Sequence, residues 1–316
     1  MESRAIVVLG MHRSGTSAAS RALQALAVHL GDNFFELAPD NPTGYWEDKT
    51  LVAINQRVLE ELRLAWDDTD PIPYERFGHH RIRLVGLHAV RYLESTLMQQ
   101  PVWGFKDPRS IRLFPFWRDV LHRSGTRDSY VLAIRHPLSV AASLFARQEI
   151  ALPKAQRLWL VHNVPFLHEL REKPLVVVDY DRLAEAPQAE LERLAAGLAL
   201  PAQDASSSEI ERFATGFLDG TLRHSSFSNE EFDVQSEAGR LARDAYLLLY
   251  DLATDRRRAD EPFWTDWEGI QHRLTALVAE SGEFGTGAHA ELTIRGSEVR
   301  LDRTFADRRL RGDRLV

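Results

Sequence analysis

Four short runs of consecutive apolar residues punctuate the first two thirds of the chain: Ala5–Leu9 (AIVVL), Val102–Phe105 (VWGF), Tyr130–Ile134 (YVLAI) and Leu175–Val178 (LVVV). A strand with one face in water alternates apolar and polar positions. An unbroken run is the pattern of a strand covered on both faces, as in a parallel sheet. Between the runs, apolar residues recur at three- and four-residue spacing, the period of a helix with one buried face. That spacing predicts helices over Thr16–Leu30, Leu51–Ala65, Arg81–Gln99, Leu138–Arg147 and Gln188–Leu198, the first stopped by Gly31. Strands alternating with helices predict an α/β fold with right-handed crossovers. We expect one domain over residues 1–280, with a central parallel sheet of about five strands between two helical layers. Its part after Leu200 reads as mainly helical, with Arg240–Ala253 and Trp267–Ala279 the clearest helices. The end of the chain breaks the pattern: 281–287 is glycine-rich and 289–303 alternates, which predicts a hairpin. Seven arginines against four acids from Arg295 onward read as a solvated tail, or as the start of a truncated segment, so 281–316 is set apart as a hairpin or tail.

Composition changes this picture little, but it excludes a good deal. The 316 residues are 44% hydrophobic and 27% charged, fractions of an ordinary globular chain. The 39 Lys and Arg against 46 Asp and Glu give a net charge of -7, which argues against non-specific coating of nucleic acid. With no cysteine in the sequence, disulfides, zinc–cysteine sites, iron–sulfur clusters and cysteine nucleophiles are excluded together. No apolar stretch approaches the roughly 18 residues of a membrane span. The apolar stretch at 5–11 reads as a buried strand rather than a signal peptide, so the expected location is the cytoplasm. No internal repeat is apparent, and the oligomeric state is not legible.

In an open parallel sheet, ligands bind where the strands end at their carboxyl edge. The first strand ends in Gly10-Met-His-Arg-Ser-Gly-Thr-Ser17, and a helix opens at once. This is the spacing of a phosphate-binding loop, with Thr16 where a lysine usually stands. The amides of a first helical turn have no partner within the helix and lie at the positive end of its dipole. Gly15 allows close approach, Thr16 and Ser17 add hydroxyls, and Arg13 adds a cation. The bland alternative is a capped helix after a strand. The missing lysine argues against an ordinary nucleoside triphosphatase or kinase. The third strand ends in Arg135-His136-Pro137, with Ser143 eight residues after Arg135: a guanidinium fork and a hydroxyl suited to a second phosphate, or a structural ion-pair partner. The second strand ends in Lys106-Asp107-Pro108-Arg109, which brings a mobile cation to the same edge.

Together these segments resemble those of sulfotransferases that use 3′-phosphoadenosine 5′-phosphosulfate (PAPS), of the bacterial P-loop type. The 10–17 loop is similar to that family's 5′-phosphosulfate loop. Arg135-His-Pro with Ser143 is similar to its 3′-phosphate motif. Asn41-Pro-Thr-Gly-Tyr-Trp-Glu-Asp48, Trp103-Gly-Phe-Lys-Asp-Pro-Arg109 and Val176-Val-Val-Asp-Tyr-Asp-Arg-Leu183 resemble further segments, in the family's order. The resemblance covers residues 5 to about 183, is weak beyond apart from Leu222-Arg223-His224, and is absent after about 280.

The resemblance implies in-line transfer of a sulfuryl group from PAPS to a hydroxyl or amine, leaving 3′-phosphoadenosine 5′-phosphate (PAP), with no metal required. The loop residues His12, Arg13, Ser14, Gly15, Thr16 and Ser17 would hold the 5′-phosphosulfate. Arg135 and Ser143 would hold the 3′-phosphate, with Arg223 closing over the nucleotide. Arg13 and Lys106 would neutralise developing charge, Lys106 at the bridging oxygen. Glu47 is the first choice of general base, with Asp48, Asp107 and His12 as alternatives; its bland reading is an acid opening the next helix. Tyr45, Trp46, Trp66 and Trp103 are candidates for an acceptor cleft as well as for core or cleft wall. The expected partner is a small-molecule or glycan acceptor of unread identity. Two rival readings remain. Asp68-Thr-Asp70 and Asp179-Tyr-Asp181 are D-x-D pairs of the kind that hold a metal on a nucleotide-sugar diphosphate, as in a glycosyltransferase. A non-catalytic binding module on the same fold is the other.

Overall fold

The four apolar runs pair side by side because every residue of each has somewhere apolar to go. Neighbouring residues of a strand point to opposite faces. On the central strand, Ala5, Val7 and Leu9 join one buried cluster, while Ile6 and Val8 join another on the opposite face. The computed structural model describes residues 3–36, 44–200, 207–213, 227–280, 291–295 and 298–302. In chain order these form β1 (Arg4–Leu9), α1 (Thr16–Ala25), α2 (Lys49–Glu61), α3 (His80–Ser95), β2 (Val102–Lys106), α4 (Phe114–Arg123), β3 (Arg127–Ile134), α5 (Pro137–Gln148), α6 (Leu152–Asn163) and β4 (Leu175–Asp179). There follow α7 (Tyr180–Glu185), α8 (Pro187–Gly197), α9 (Ser207–Arg212), α10 (Glu237–Ala253), α11 (Glu261–Glu280), β5 (Glu291–Arg295) and β6 (Glu298–Asp302).

The central sheet has the order β2-β1-β3-β4, with every pairing parallel. Helices α1 and α8 cover one face through Ala18, Ala22, Leu23, Leu191 and Leu194. Helices α2 to α6, α10 and α11 contribute to the core on the other, where Trp103, Trp117, Trp159 and Trp267 are buried. Strands β5 and β6 form a separate antiparallel pair.

The sheet has four strands among the described residues, not about five. The segment beyond β2 explains the difference. The predicted first helix, drawn to Leu30, ends at Ala25, and Ala27 turns the chain with φ 64°. His29 then lies beside β2, accepting from the Gly104 N–H at 2.8 Å and donating to the Val102 carbonyl at 3.3 Å. This edge contact is a single bridge, not a fifth strand. The apolar spacing does not predict α4 or α6. Helix α6 is buried around most of its circumference, including Gln156, His162 and Asn163, so it lacks the polar stripe that makes a period visible.

The strand order places the site. From β1 the chain runs to β2 on one side, and from β3 it runs to β4 on the other. The crevice between the carboxyl ends of β1 and β3 is therefore the switch point at which such sheets bind ligands. The 10–15 loop and Arg135-His136 meet there.

Candidate active site

The loop after β1 has the backbone of an anion cradle. Gly10, Arg13 and Gly15 have φ of 143°, 67° and 84°. Gly15 is the N-cap of α1, which has no side-chain cap and no acid in its first turn. Its amides are thus left to whatever lies in the crevice. Glycine is required at 15 on two grounds: its φ favours glycine, and a Cβ there would stand 2.5 Å from the Tyr180 ring. The bland alternative of a side-chain cap from Thr16 or Ser17 does not describe this helix. Thr16 is buried, and the Ser17 hydroxyl donates to the Tyr45 carbonyl at 3.1 Å. Ser14 is buried, and its Oγ has no hydrogen-bond partner among the described residues. An orphaned hydroxyl inside a glycine-framed loop is the state expected of a group that bonds a ligand.

A cavity of about 260 Å³ opens beside the loop, lined by His12, Arg13, Thr16 and Ser17, by Tyr45, Glu47 and Trp66, and by Lys106, Pro108, Arg109, Arg147 and Gln148. Two larger grooves, of about 590 and 850 Å³, lie along α2 and α3 and contain none of the strand-end residues. Lys106, the last residue of β2, organises the cavity. Its Nζ donates to Glu47 Oε1 at 2.6 Å, to the Tyr45 carbonyl at 2.7 Å and to Ser17 Oγ at 3.2 Å. The Lys106 and Glu47 side chains are only 2% and 12% exposed. Removing either member of so buried a pair strands the other charge, at a cost of roughly 3–5 kcal/mol.

The four acid–base candidates separate on geometry. Asp48, not Glu47, is the acid that opens α2: its Oδ1 accepts from the Thr50 and Leu51 amides at 2.8 and 3.0 Å, and its Oδ2 from Tyr92 at 2.7 Å. Asp107 is fully buried and closes its own turn, accepting from the Arg109 amide at 2.8 Å and from the Arg109 guanidinium at 3.1 Å. Burial raises the Asp107 pKa and nearby Glu47 adds to the rise, against the pull of Arg109. His12 lies against Trp66 with ring centroids 4.4 Å apart. Burial holds its pKa well below the ordinary value, and His162, Arg109, Lys106 and Arg13 push the same way. Glu47 is the carboxylate of this group that lines the cavity.

The residues expected to form a second anion site adjoin the loop. Arg13 Nε donates to Ser143 Oγ at 2.7 Å, so the loop cation and the α5 hydroxyl are in direct contact. The Arg135 guanidinium lies 4.6 Å over the Tyr180 ring, and its Nε is 3.8 Å from Asp181. Tyr180 therefore stands between Gly15 and Arg135, one ring touching both loops. Its position directly after β4 was the available signal. His136 accepts from the Leu138 amide at 3.2 Å and caps α5. Arg223 lies outside the described residues, as do Asn41 to Thr43.

The aromatic candidates divide. Tyr45 and Trp66 line the cavity. Trp103 is core, its indole N–H donating to Ser3 Oγ at 2.6 Å, and Trp46 packs edge-on to Phe34, with Arg21 over its ring. Of the D-x-D residues, Asp179 is committed to structure. Its Oδ1 accepts from the Asp181 and Arg182 amides, both at 3.1 Å, and its Oδ2 from Tyr246, also at 3.1 Å. Asp68 accepts from the Ala65 amide at 2.7 Å.

No protein-family model matches the chain, and no curated protein matches it. Solved structures do. The sulfotransferase domain of the Synechococcus PCC 7002 olefin synthase matches with TM-score 0.41 and 14% identity, over 89% of this chain and 95% of that one. The sulfotransferase domain from the curacin biosynthetic pathway matches with TM-score 0.39 and 17% identity, over 90% and 98%. Retinol dehydratase, in complex with androsterone and inactive cofactor PAP, matches with TM-score 0.32 and 12% identity, over 89% and 81%. Likeness at these scores assigns no function, which has to come from the chain's own site.

Proposed function

We propose that this protein is a sulfotransferase of the P-loop type that takes PAPS as donor and a hydroxyl or amine as acceptor. One observation carries the reading. A buried Lys106–Glu47 pair sits in the same cavity as Arg13 and the uncapped start of α1, and Arg13 reaches Ser143 at the second anion site. Two adjoining sites for anions, with a carboxylate beside one of them, match a nucleotide phosphorylated at both ends and a proton to be removed next to it.

When bound, the donor supplies an activated sulfuryl group and a 5′-phosphate leaving group. The α1 amides, Arg13 and Ser14 would bind that phosphate end, and Arg135 with Ser143 the 3′-phosphate. Glu47 would accept the acceptor proton as the new S–O or S–N bond forms and the S–O bond to the 5′-phosphate breaks. Lys106 would stabilise the charge left on the phosphate oxygen. The two roles are linked through the 2.6 Å contact, because protonation of Glu47 weakens its hold on Lys106 as the leaving oxygen needs the cation. The capping role of Asp179 takes one carboxylate away from the glycosyltransferase reading.

The test is calorimetric titration with PAP beside ADP, UDP and GDP, with EDTA present. Selective binding of PAP is expected. A preference for a nucleoside diphosphate once a divalent metal is restored would overturn the proposal. Glu47→Gln should leave PAP binding within a few fold and lower turnover by about 10²–10⁴. Unchanged turnover would remove Glu47 as base, and PAP binding without transfer to any acceptor would favour the non-catalytic module.

A further inference from the structure

We propose that the exposed face of α3 is a docking surface for an acidic amphipathic helix of a partner protein. The surface shares no residue with the cavity beside the 10–17 loop and is independent of the donor reading.

Helix α3 buries Ile82, Gly86, Ala89 and Leu93. On its opposite side His80, Leu84, Leu87 and Arg91 follow at spacings of four, three and four residues, and all are exposed. That spacing is the seam along which one helix packs on another. Leu84 and Leu87 are 60% and 41% exposed. A single exposed leucine is ordinary, but two in line on one seam form the centre of a contact. Beside them, Ala53 and Ile54 of α2 and Val85 of α3 line the groove of about 590 Å³, so the ridge of leucines has an apolar furrow alongside.

The chain has a net charge of -7, yet α3 carries Arg81, Arg83, Arg91, His80 and His88 against one acid, Glu94 in its last turn. Part of this charge is answered locally. Arg81 is 3.7 Å from Glu61, which also holds Arg57, and on the α4 side Arg123 is 3.4 Å from Asp119. The groove at the start of α3 mixes Arg63 and Arg76 with Glu60 and Glu75. Arg83 and Arg91 differ from these. Both are exposed, and neither forms an ion pair among the described residues. The residue four positions from each, where a helix can set a balancing acid, is Leu87. Two guanidinium groups thus flank an exposed leucine with no carboxylate of the described residues in contact.

Charge also chooses among occupants. Two copies meeting about a two-fold axis would set α3 antiparallel to itself. Leu84 would then face Leu87 of the copy, but Arg91 would face His80 and Arg83 would face His88, like against like. A bilayer takes up a helix through a continuous apolar face, and here two leucines stand between cations. A helix with apolar residues on its seam and Asp or Glu beside them matches the leucines and the arginines together. At 16 residues α3 is about 24 Å long, so the contact is small and of the transient class, with micromolar affinity.

The test uses the full chain and a fluorescently labelled peptide of about three heptads, with leucine on its seam, glutamate beside the seam and alanine elsewhere. A twin with glutamine for glutamate is the control. In fluorescence anisotropy the glutamate peptide should bind about five- to tenfold tighter than its twin, with an advantage that shrinks as salt is added. Arg83→Glu combined with Arg91→Glu should reverse the preference, and Leu84→Asp should weaken both peptides about tenfold. All three positions are exposed, and the urea midpoint of each variant checks that its fold is kept. Equal affinity for the two peptides, no binding of the glutamate peptide, or a preference unchanged in the double variant each overturns the inference. Two further outcomes overturn it in favour of another occupant. A dimer in light scattering that Leu84→Asp converts to monomer assigns the face to a second copy. Sedimentation with phosphatidylcholine–phosphatidylserine vesicles that the double variant abolishes, and that the glutamate peptide does not displace, assigns it to a membrane.

Discussion

Two strand-to-helix junctions at the same edge of the sheet solve the same problem in opposite ways. At β4, the last strand residue, Asp179, is itself the cap of α7, and its carboxylate answers the Asp181 and Arg182 amides and the Tyr246 hydroxyl. At β1, residues 10–15 intervene before α1, the cap is Gly15, and there is no side-chain cap among the described residues. Both helices have positive N-terminal dipoles. Only the second leaves that charge for a ligand. Position in the fold therefore nominates several anion sites, and capping chemistry decides which of them are open. Helix α5 is the intermediate case, capped by the neutral imidazole of His136.

Exchanging the demands of the two junctions should give the largest effect. Gly15→Ala forces φ 84° on a residue with a Cβ and drives that atom into Tyr180. We expect a stability loss of about 1–3 kcal/mol and, because Tyr180 also supports Arg135, PAP binding weakened about a hundredfold. Asp179→Ala removes a cap and leaves Tyr246 unanswered, for a loss of about 2 kcal/mol in urea denaturation, with PAP affinity of the folded protein nearly unchanged. The comparison breaks if Asp179→Ala costs binding and Gly15→Ala does not. A requirement of Asp179 for metal-dependent nucleotide binding would restore the glycosyltransferase reading.

The intermediate junction is open to pH. Burial, with help from Arg135 and against Glu231, lowers the His136 pKa to about 4. In the unfolded chain an imidazole titrates near 6.5. Between these values the unfolded chain binds more protons, so stability rises with pH. The contribution is complete above about pH 6.5 and is lost as pH falls toward 4, to the extent of about 3 kcal/mol. Protonation also converts the Nδ1 acceptor into a donor and abolishes the cap. His136→Asn retains a capping group that does not titrate. The urea midpoint should fall between pH 7 and pH 4.5 in both proteins, because His12 and His162 are also buried with lowered pKa values. The fall should be smaller in the variant. Equal slopes would show that His136 is not held neutral.

The difference between junctions also explains what could be read from the sequence. The four buried strands and the 10–17 loop were legible because continuous apolar runs and a glycine-framed spacing are local signals. The roles of Asp48 and Glu47 were not, because adjacent acids at a helix start look alike until one is found accepting two amides and the other facing a buried lysine. Trp103 and Trp66 likewise differ in placement, not in type. The contact of Arg13 with Ser143 spans 130 residues and leaves no trace in spacing. The uncapped start of α1 was only half legible: glycine at 15 was visible, but the absence of a side-chain cap from Thr16 or Ser17 required the structure.

The smallest effect tests whether the two proposed anion sites at the open junction act separately. Ser143 Oγ accepts from Arg13 at 2.7 Å and retains a hydroxyl proton to donate. It can therefore serve the 3′-phosphate directly, or serve the 5′ end by holding Arg13 in place. Adenosine 5′-monophosphate separates the two, because it is PAP without the 3′-phosphate. If Ser143 donates to the 3′-phosphate, Ser143→Ala weakens PAP about fivefold, near 1 kcal/mol, and leaves the monophosphate unchanged. Arg13→Ala, which strips the 5′ end, weakens both nucleotides together. If Ser143→Ala instead weakens both equally, the hydroxyl acts only as a tether for Arg13. The second anion site then reduces to Arg135 on its Tyr180 platform, and the open junction at β1 carries most of the nucleotide's binding energy.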